Sequence, residues 1–261
     1  MNPVVRQQQI LSRLRAIQRE WRVDQIAAAL KVSPLTIRRD LDRLAEEGSI
    51  LRTHGGCIYA GRMAREAVYH ERVAARYELK RAIGSRAVEQ IRPGEAILVD
   101  DGSTCFHVAT QLPPSTALSL YTNSMPIVAE LGSSPPVAVT LLGGAYDSRR
   151  QHLGGPVTEW MLERFTFDRV FLGSDCVDAR GRCLVENTEM ARTARAMLAR
   201  GRRKILLADH TKCASSAGRV EYAHLRDFDE WITTHGLPPA LRRSLGRMTR
   251  MTVVTAAKET P

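Results

Sequence analysis

Residues 33–41 read SPLTIRRDL and predict a short amphipathic helix with a capped start and a basic exposed side. Ser33 suits the N-cap position, where its side chain accepts a hydrogen bond from a free backbone N–H. Pro34 suits the first turn, where its missing N–H is not needed. Apolar residues then recur at helical spacing, at Ile37, Leu41 and Leu44. We therefore expect a helix over residues 34–47 that ends at Gly48.

The exposed side of this helix has the composition of a DNA-reading surface. If the apolar residues face a core, the 3.6-residue period directs Leu35 and Arg39 outward and places Thr36 and Arg38 on the two flanks. Guanidinium and hydroxyl groups contact phosphates and guanine edges. A lone amphipathic helix with two arginines is more often an ordinary solvated helix, so its neighbours decide the interpretation.

Two further helices precede this segment. Residues 4–18 carry apolar side chains on one face, and residues 23–30 do the same over a shorter length. A tight turn at residues 31–33 then leads into the basic helix. Helix, short helix, turn and capped basic helix together predict a helix-turn-helix.

The residues after Gly48 predict a small wing. In residues 49–59, β-forming residues flank the pair Gly55-Gly56, which is typical of a hairpin. This wing would place Arg52 and His54 near the phosphate backbone. The predicted DNA contacts are Ser33, Leu35, Thr36, Arg38, Arg39, Arg52 and His54.

Length and charge are consistent with a two-domain protein that binds an acidic polymer. The chain has 261 residues, and a domain usually takes about 100–200. Lys and Arg number 38 against 28 Asp and Glu, a net charge of +10, which favours nucleic acid as partner. Part of this excess lies far from the basic helix, at Arg192, Arg195, Arg200, Arg202, Arg203 and Lys204, and we interpret it as compositional bias.

The sequence predicts a cytoplasmic protein. Residues 1–9 are polar, unlike a signal peptide, and no apolar run approaches the ~18 residues that a membrane span needs. The five cysteines are odd in number and form no C-x-x-C pair, which favours reduced thiols. We expect neither a metal nor a cofactor.

Beyond a charged linker, short apolar strands alternate with helices. The predicted strands are 96–100, 117–121, 137–142, 169–172, 204–208, 230–233 and 251–255. This alternation predicts a mostly parallel sheet with helices on both faces, an α/β domain. Ligands of such sheets bind at the carboxyl ends of the strands.

Polar and glycine-rich turns follow several of these strands. Gly102-Ser103-Thr104, Thr122-Asn123-Ser124 and Gly143-Gly144 offer backbone N–H groups, hydroxyls and close backbone approach. Each alone is an ordinary turn, but their recurrence at successive strand ends predicts a cradle for an anion, most naturally a phosphate. Lys212 would supply a positive charge, and Asp100 or Asp101 would accept hydrogen bonds from sugar hydroxyls.

These residues resemble the DeoR family of bacterial transcriptional regulators over nearly the whole chain. The N-terminal signature consists of residues 33–41 with Leu44, Gly48, Arg52 and residues 54–56. The C-terminal signature consists of residues 100–104, 122–124, 142–144, 171–173 and 208–212. Two positions depart from the family pattern: Cys176 and Asp101 stand where small residues are usual.

The resemblance implies a winged helix-turn-helix at residues 1–60, a linker at 61–76 and an effector-binding sensor domain at 77–261, similar to ribose-5-phosphate isomerase-like folds. It also implies which residues bind the effector: Asp100, Gly102, Ser103, Thr104, Thr122, Asn123, Ser124, Gly143 and Lys212. Members typically repress operons of sugar or carbon metabolism and release DNA when a phosphorylated sugar binds.

We therefore expect a repressor that binds a double-stranded DNA operator as a homodimer or homotetramer. One helix-turn-helix reads few base pairs, so two copies would read half-sites about 34 Å apart or a multiple of that. The alternative is a sugar-phosphate isomerase or deaminase with a DNA-binding arm, for which the acid and base candidates are Asp100, Asp101, Glu186, Glu189, His210 and Lys212. A DNA-binding activator without a ligand differs only in its second domain.

Overall fold

The computed structural model describes residues 2–17, 20–47, 49–53, 55–59, 69, 71–113, 115–132 and 136–255. The chain divides into two compact units, Met1–Arg72 and Val73–Pro261. Most of the predicted linker, with Gly48 and His54, lies outside the described residues.

The first unit is a three-helix domain with a small antiparallel sheet. Its helices are α1 (Pro3–Ile17), α2 (Val23–Leu30) and α3 (Pro34–Glu46), and its strands are β1 (Trp21–Arg22), β2 (Ile50–Arg52) and β3 (Gly56–Tyr59). The apolar positions that predicted the three helices form one buried cluster, which includes Ile10, Ile26, Ile37 and Leu41. The predicted winged helix-turn-helix is therefore confirmed, and α3 ends one residue before its expected end.

The wing has a third strand that the sequence did not indicate. β1 pairs with β3 on the side opposite β2, giving the order β1-β3-β2. Arg22 lies opposite Gly56, where a side chain's Cβ would stand 2.4 Å from the Trp21 carbonyl oxygen. Gly56 is thus required because the two backbones approach so closely.

The second unit is built on a seven-stranded parallel sheet in the order β15-β14-β12-β9-β4-β5-β6. Its strands are β4 (Ala96–Val99), β5 (Leu118–Thr122), β6 (Val137–Leu141), β9 (Phe167–Leu172), β12 (Gly201–Leu207), β14 (Glu230–Thr234) and β15 (Arg250–Val254). These are the seven predicted strands, within one to three residues at each end. The parallel α/β class is confirmed.

Helices cover both faces of this sheet. The helices α4 (Tyr77–Val88), α5 (Ser103–Ala109) and α6 (Met125–Leu131) pack on one face, against residues such as Ile97 and Ile205. The helices α7 (Pro156–Leu162), α8 (Thr188–Leu198) and α9 (Pro239–Leu245) pack on the other, against residues such as Leu98 and Leu206. Alternate residues of each strand therefore serve two separate cores.

Two smaller antiparallel elements complete the second unit. The strands β10 (Cys176–Val177), β11 (Arg182–Val185) and β13 (Val220–His224) form a sheet in the order β10-β11-β13. The strands β7 (Ala145–Asp147) and β8 (His152–Gly154) form a hairpin. No described helix is long and apolar enough to span a bilayer.

The five cysteines are reduced and mostly buried. Cys57 lies in the core of the first unit, and Cys105, Cys176 and Cys183 lie in the cores of the second. Cys213 is half-buried, in a 3₁₀ turn at His210–Ala214. This confirms free thiols, as the odd count predicted.

Candidate functional site

The start of α3 is held by its predicted cap. The Ser33 hydroxyl oxygen accepts a hydrogen bond from the Thr36 backbone N–H at 3.2 Å and lies 2.9 Å from the Thr36 hydroxyl. Pro34 occupies the first helical position. Ser33 and Thr36 therefore fix the geometry of the first turn before any ligand binds.

The exposed surface of this turn carries unneutralised positive charge. Leu35 exposes 57% of its surface, and Arg38 and Arg39 are exposed while Thr36 is half-buried. Within the described part of the chain, neither arginine has an ion-pair partner. The arrangement can therefore present two guanidinium groups, a hydroxyl and an apolar contact to a groove of DNA.

The wing contributes an arginine that is less available to DNA than Arg38 and Arg39, because it is already paired. Arg52 on β2 forms an ion pair with Asp42 of α3 at 3.5 Å, and a third of its side chain is exposed. Arg52 thus ties the wing to α3, and a DNA phosphate would compete with Asp42 for it. Its predicted role in DNA binding stays a prediction, as does that of His54.

A buried carboxylate connects α3 to α1. Asp40 exposes 5% of its surface and accepts hydrogen bonds from Arg6 through both carboxylate oxygens and from the Gln7 amide at 3.1 Å. Sequence reasoning assigned Asp40 no role. The available signal was its position three residues after Ile37, which places a charge on the buried face and requires a partner there.

In the second unit, the predicted effector residues follow neighbouring strands. Asp100 and Gly102 follow β4, Thr122 ends β5, and Gly143 follows β6. β4, β5 and β6 are adjacent, so these groups share one edge of the sheet. Lys212 follows β12, two strands away from β4, and its charge partly offsets the burial that raises the pKa of the Cys176 thiol.

The triplet Thr122-Asn123-Ser124 anchors the β7–β8 hairpin. The Asn123 amide donates a hydrogen bond to the Leu153 carbonyl at 3.0 Å, and the Leu153 N–H donates one to the Asn123 carbonyl at 2.9 Å. Ser124 pairs with His152 in an isolated bridge and caps α6 through Ile127. These groups position the hairpin over the strand ends, and their predicted contact with an effector remains a prediction.

The glycine pair after β6 is explained by packing. The Gly143 N–H lies 3.1 Å from the Met161 sulfur, and its carbonyl accepts a hydrogen bond from Thr158 at 2.6 Å. At Gly144, a Cβ would stand 2.2 Å from the Thr158 hydroxyl oxygen and 2.4 Å from the Gly154 carbonyl. The pair therefore lets the chain pass close to α7 and the hairpin.

Two adjacent carboxyls at the end of β4 have opposite environments. Asp100 accepts a hydrogen bond from the Gly173 N–H at 3.2 Å. The packing around it and the neighbouring negative charge of Asp101 raise the pKa of Asp100 far above its ordinary value. As a neutral acid at physiological pH, Asp100 can both donate and accept hydrogen bonds.

Asp101 is the charged member of the pair. Burial opposes its ionisation, but the positive charges of His152 and Arg150 outweigh burial and hold the pKa of Asp101 well below its usual range. The His152 Nδ1 lies 2.9 Å from the Asp101 carboxylate. Burial would lower the pKa of His152, yet the Asp101 charge raises it. The two side chains form a buried ion pair.

Arg150 extends this pair into a network. Its guanidinium contacts Asp175 at 2.7 Å and Glu186 at 3.3 Å, and Asp175 also accepts a hydrogen bond from the Glu186 N–H. Between Arg150 and His152, Gln151 has a positive φ of 54°, which is rare for a residue with a side chain.

Sequence reasoning missed Arg150, His152 and Asp175. The only signal was the cluster RRQH at 149–152 between two glycine pairs.

Two buried acceptors at the strand ends have no partner among the described residues. These are Oδ1 of Asn123 after β5 and Oδ2 of Asp209 after β12. Buried acceptors normally receive a hydrogen bond, and hydroxyl groups of a polar ligand supply such donors. Among the described residues, no group of three His, Cys, Asp or Glu side chains could hold a metal. The edge therefore has the chemistry of a polar, hydroxyl-bearing ligand site.

Comparison with known proteins identifies both units. Residues 6–62 match the DeoR-like helix-turn-helix domain, and residues 75–235 match the DeoR C terminal sensor domain. The HTH-type transcriptional regulator GlpR of Haloferax volcanii is 34% identical over 81% of this chain and 82% of its own length. The glycerol-3-phosphate regulon repressor of Escherichia coli K12 is 32% identical over 74% of this chain and 77% of its own.

Among solved structures, ribose 5 phosphate isomerase A from Neisseria gonorrhoeae aligns with 52% of this chain and 53% of its own, with a TM-score of 0.38 and 16% identity. The two matched domains together account for most of the chain, in the order that the residue pattern predicted. The chain belongs to the DeoR family of DNA-binding transcriptional regulators, which act as regulators and not as enzymes.

Proposed function

We propose that the chain represses an operon of sugar or related carbon metabolism and that a phosphorylated sugar releases it from its operator. The observation that carries the DNA-binding half is the pair Arg38 and Arg39, exposed and unneutralised on a helix whose first turn is fixed by Ser33. The names of relatives support the metabolic half: one represses the glycerol-3-phosphate regulon and another, in Escherichia coli O157:H7, is a putative aga operon repressor.

The proposed effector site is the edge formed by the ends of β4, β5, β6 and β12. Asp100 and Asp209 would hydrogen-bond to sugar hydroxyls, and Lys212 with the turn at Gly102–Thr104 would face the phosphate. The first helical turn after Gly102 leaves backbone N–H groups without helical partners, which favours an anion there. The set predicted from the sequence is Asp100, Gly102, Ser103, Thr104, Thr122, Asn123, Ser124, Gly143 and Lys212, and Asp209 is added to it.

The repressor would act as a symmetric oligomer in the cytoplasm, with residues 1–60 on DNA, 61–76 as the linker and 77–261 as the sensor. Two helix-turn-helix units are needed to read an operator, so a homodimer is the smallest competent form and a homotetramer the next. An effector can release DNA only by binding one subunit arrangement more tightly than the other. Operator DNA must then weaken effector binding by the same factor as the effector weakens DNA binding.

The DNA-binding proposal is tested by Arg39→Ala. Removing a guanidinium that contacts a base or phosphate costs about 1–3 kcal/mol, so operator affinity should fall about 5- to 150-fold in a gel shift at fixed salt. Arg13→Ala is the matched control, because Arg13 is an exposed arginine on α1. If both variants and the parent chain bind the operator with equal affinity, the assignment of α3 as the DNA-reading helix is wrong.

The effector proposal is tested by a panel of sugar phosphates and the corresponding free sugars. One of the phosphates should raise the melting temperature of the full chain and lower its operator affinity, and Lys212→Ala should weaken both effects. A free sugar that acts as strongly as its phosphate would contradict the role of Lys212. If no compound of the panel releases DNA, the phosphorylated-sugar proposal fails while the DNA-binding one stands.

A further inference from the structure

A cavity of about 210 Å³ lies at the amino ends of the parallel strands, opposite the proposed effector edge. It is bounded by the last turn of α4 and by the first residues of β9, β12, β14 and β15. Five arginines line it, together with Gln90 and two glutamates: Arg86, Arg92, Arg169, Arg203, Arg250, Glu89 and Glu230. We call this pocket, with its lining residues, the arginine cavity.

Strand register explains how so many arginines meet. Arg203 lies two residues before Ile205, and Ile205 packs on the α4 face, so Arg203 points to that face as well. The same alternation places Arg169 there, two residues before Phe171, and Arg169 is the direct neighbour of Arg203 across β9 and β12. Arg250 likewise neighbours Glu230 across β15 and β14. The arginine cavity begins where the apolar core of this face ends.

Three of the five guanidinium groups have carboxylate partners. Arg169 contacts both oxygens of Glu95, at 2.7 and 2.9 Å. Arg86 pairs with Glu89 at 2.7 Å, and Arg203 pairs with Glu230 at 2.8 Å. Five guanidinium groups against three carboxylates leave an excess of two positive charges in this small volume.

The excess charge belongs to Arg92 and Arg250. Neither forms an ion pair with any described residue, although the Arg250 charge acts on Glu230. Burial opposes ionisation of Glu230, and the hydrogen bonds from Thr252 and Arg203, with the charge of Arg250, nevertheless lower its pKa. Glu230 is therefore fully ionised and already has two hydrogen-bond donors, at 2.6 and 2.8 Å.

Buried polar atoms of the arginine cavity also lack partners among the described residues. These atoms are Nε of Arg203 and the side-chain nitrogen and oxygen of Gln90. Buried donors are nearly always hydrogen-bonded in folded proteins, and leaving one unpaired is costly. Two N–H donors and two uncompensated guanidinium groups thus converge on one space, with a donor set that fits tetrahedral oxyanions.

We propose that the arginine cavity binds a compact, multiply charged anion of the phosphate class, at a second site separate from the effector edge. Such an anion neutralises the two excess charges and accepts hydrogen bonds from Arg203 and Gln90. Arg92 and Arg250 are exposed, whereas the unpaired donors of Arg203 and Gln90 are buried, and a small anion can contact both sets more readily than the DNA backbone. This also revises the sequence interpretation of Arg203, which was assigned to compositional bias.

The test measures thermal unfolding of the full chain against inorganic phosphate, at constant ionic strength set with chloride. The parent chain should show a saturable rise in melting temperature of about 3 °C or more at tenfold excess over the dissociation constant. The double variant Arg92→Gln/Arg250→Gln should lose this rise. It should remain folded, because the substitutions break no ion pair and Glu230 keeps its hydrogen bonds from Arg203 and Thr252 when the nearby Arg250 charge is lost.

Two controls identify the site. Arg180→Gln/Arg202→Gln removes two exposed arginines outside the cavity, and Arg202 exposes 77% of its side chain, so this variant should keep the rise. Lys212→Ala alters the effector edge and should also keep the rise in melting temperature.

The proposal is overturned if phosphate has no saturable effect on the parent, if the effect survives Arg92→Gln/Arg250→Gln, or if Lys212→Ala alone abolishes it. A loss of operator affinity in Arg92→Gln/Arg250→Gln without any phosphate effect would assign the cavity to DNA instead.

Discussion

Asp40 shows how one residue outside the DNA-contacting set can determine whether that set works. It holds α3 to α1 through Arg6 and Gln7, beneath the exposed arginines. A buried ion pair adds little net stability over an apolar pair, but breaking it by removing one partner leaves an unpaired buried charge. Asp40 is therefore a positioning residue for α3.

We predict that Asp40→Ala destabilises the first unit by about 1.5–3 kcal/mol, because the buried carboxylate that accepts hydrogen bonds from Arg6 and Gln7 is lost. Asp42→Ala is the control, since its partner Arg52 is partly exposed and such pairs contribute about 0–1 kcal/mol. Denaturant unfolding of the full chain, followed by far-UV circular dichroism, measures both. Equal effects of the two substitutions would contradict the burial argument.

The Asp100–Asp101 pair makes stability depend on pH. The pKa of Asp100 is raised in the folded chain, so over the range above about 4 the folded state holds a proton that the unfolded state has lost. Stability from this group consequently declines as the pH rises. Asp101 and His152 act differently: the stability from their pair is fully present above the ordinary pKa of an aspartate, falls as the pH drops toward the lowered pKa of Asp101, and is also lost at high pH when His152 deprotonates.

We predict that Asp100→Asn flattens the decline in melting temperature between about pH 5 and 8, because the amide mimics the neutral acid and still accepts the Gly173 hydrogen bond. The variant should equal or exceed the parent in stability at pH 8. Asp101→Asn should do the opposite and destabilise at neutral pH, since His152 loses its charge partner while Arg150 keeps only Asp175 and Glu186. A parallel pH profile for Asp100→Asn and the parent would refute the raised pKa.

At the scale of elements, most segments that the sequence revealed were periodic or uniformly apolar, and most of those that it missed were short. The seven parallel strands are short apolar runs, buried in the inner strands and half-buried in the edge strands β6 and β15, and α1 to α3 repeat their apolar positions at helical spacing, so all were predictable. β1 has two residues and β7 and β8 have three each, too few for a period to be visible. The helices α7, α8 and α9 were also missed, although α8 has eleven residues.

The residues of the candidate site were predictable only where the local sequence indicates their position. The residues at the strand ends could be found because parallel strands end at one edge. His152 and Arg150 could not, because the β7–β8 hairpin brings them to Asp101 across 51 and 49 residues of chain, respectively, through contacts with Asn123 and Ser124. No local pattern encodes such a contact, which depends on how the hairpin docks.

The β1–β3 pairing provides a prediction at this scale. Gly56→Ala should destabilise the first unit, because its Cβ would lie 2.4 Å from the Trp21 carbonyl and must force β1 away from β3. Overpacking of this kind costs about 1–3 kcal/mol. Gly55→Ala is the matched control, since there the nearest atom is the flexible end of Arg22 at 3.5 Å. Thermal unfolding should separate the two variants, and a larger loss for Gly55→Ala would contradict the close approach.

At the scale of the whole molecule, the chain consists of two units, each with its own core. The first is held by the cluster around Ile37 and Leu41, and the second by the two clusters on either face of the parallel sheet. Separate cores allow the units to open with different free energies. A ligand that binds one unit therefore stabilises that unit first, and its effect on the other measures their coupling.

The distribution of cysteines makes this coupling observable. Burial raises the pKa of the thiols, to about 11 for Cys57 and to about 12 for Cys213, so few thiolates are present to react with an alkylating reagent in the folded chain. At the fully buried Cys57 and Cys183, alkylation then requires opening of the surrounding core, and each modified peptide reports where opening occurred. Cys57 reports on the DNA-binding unit and Cys183 on the sensor. Pulsed alkylation with mass spectrometry would therefore measure the opening rate of each unit separately.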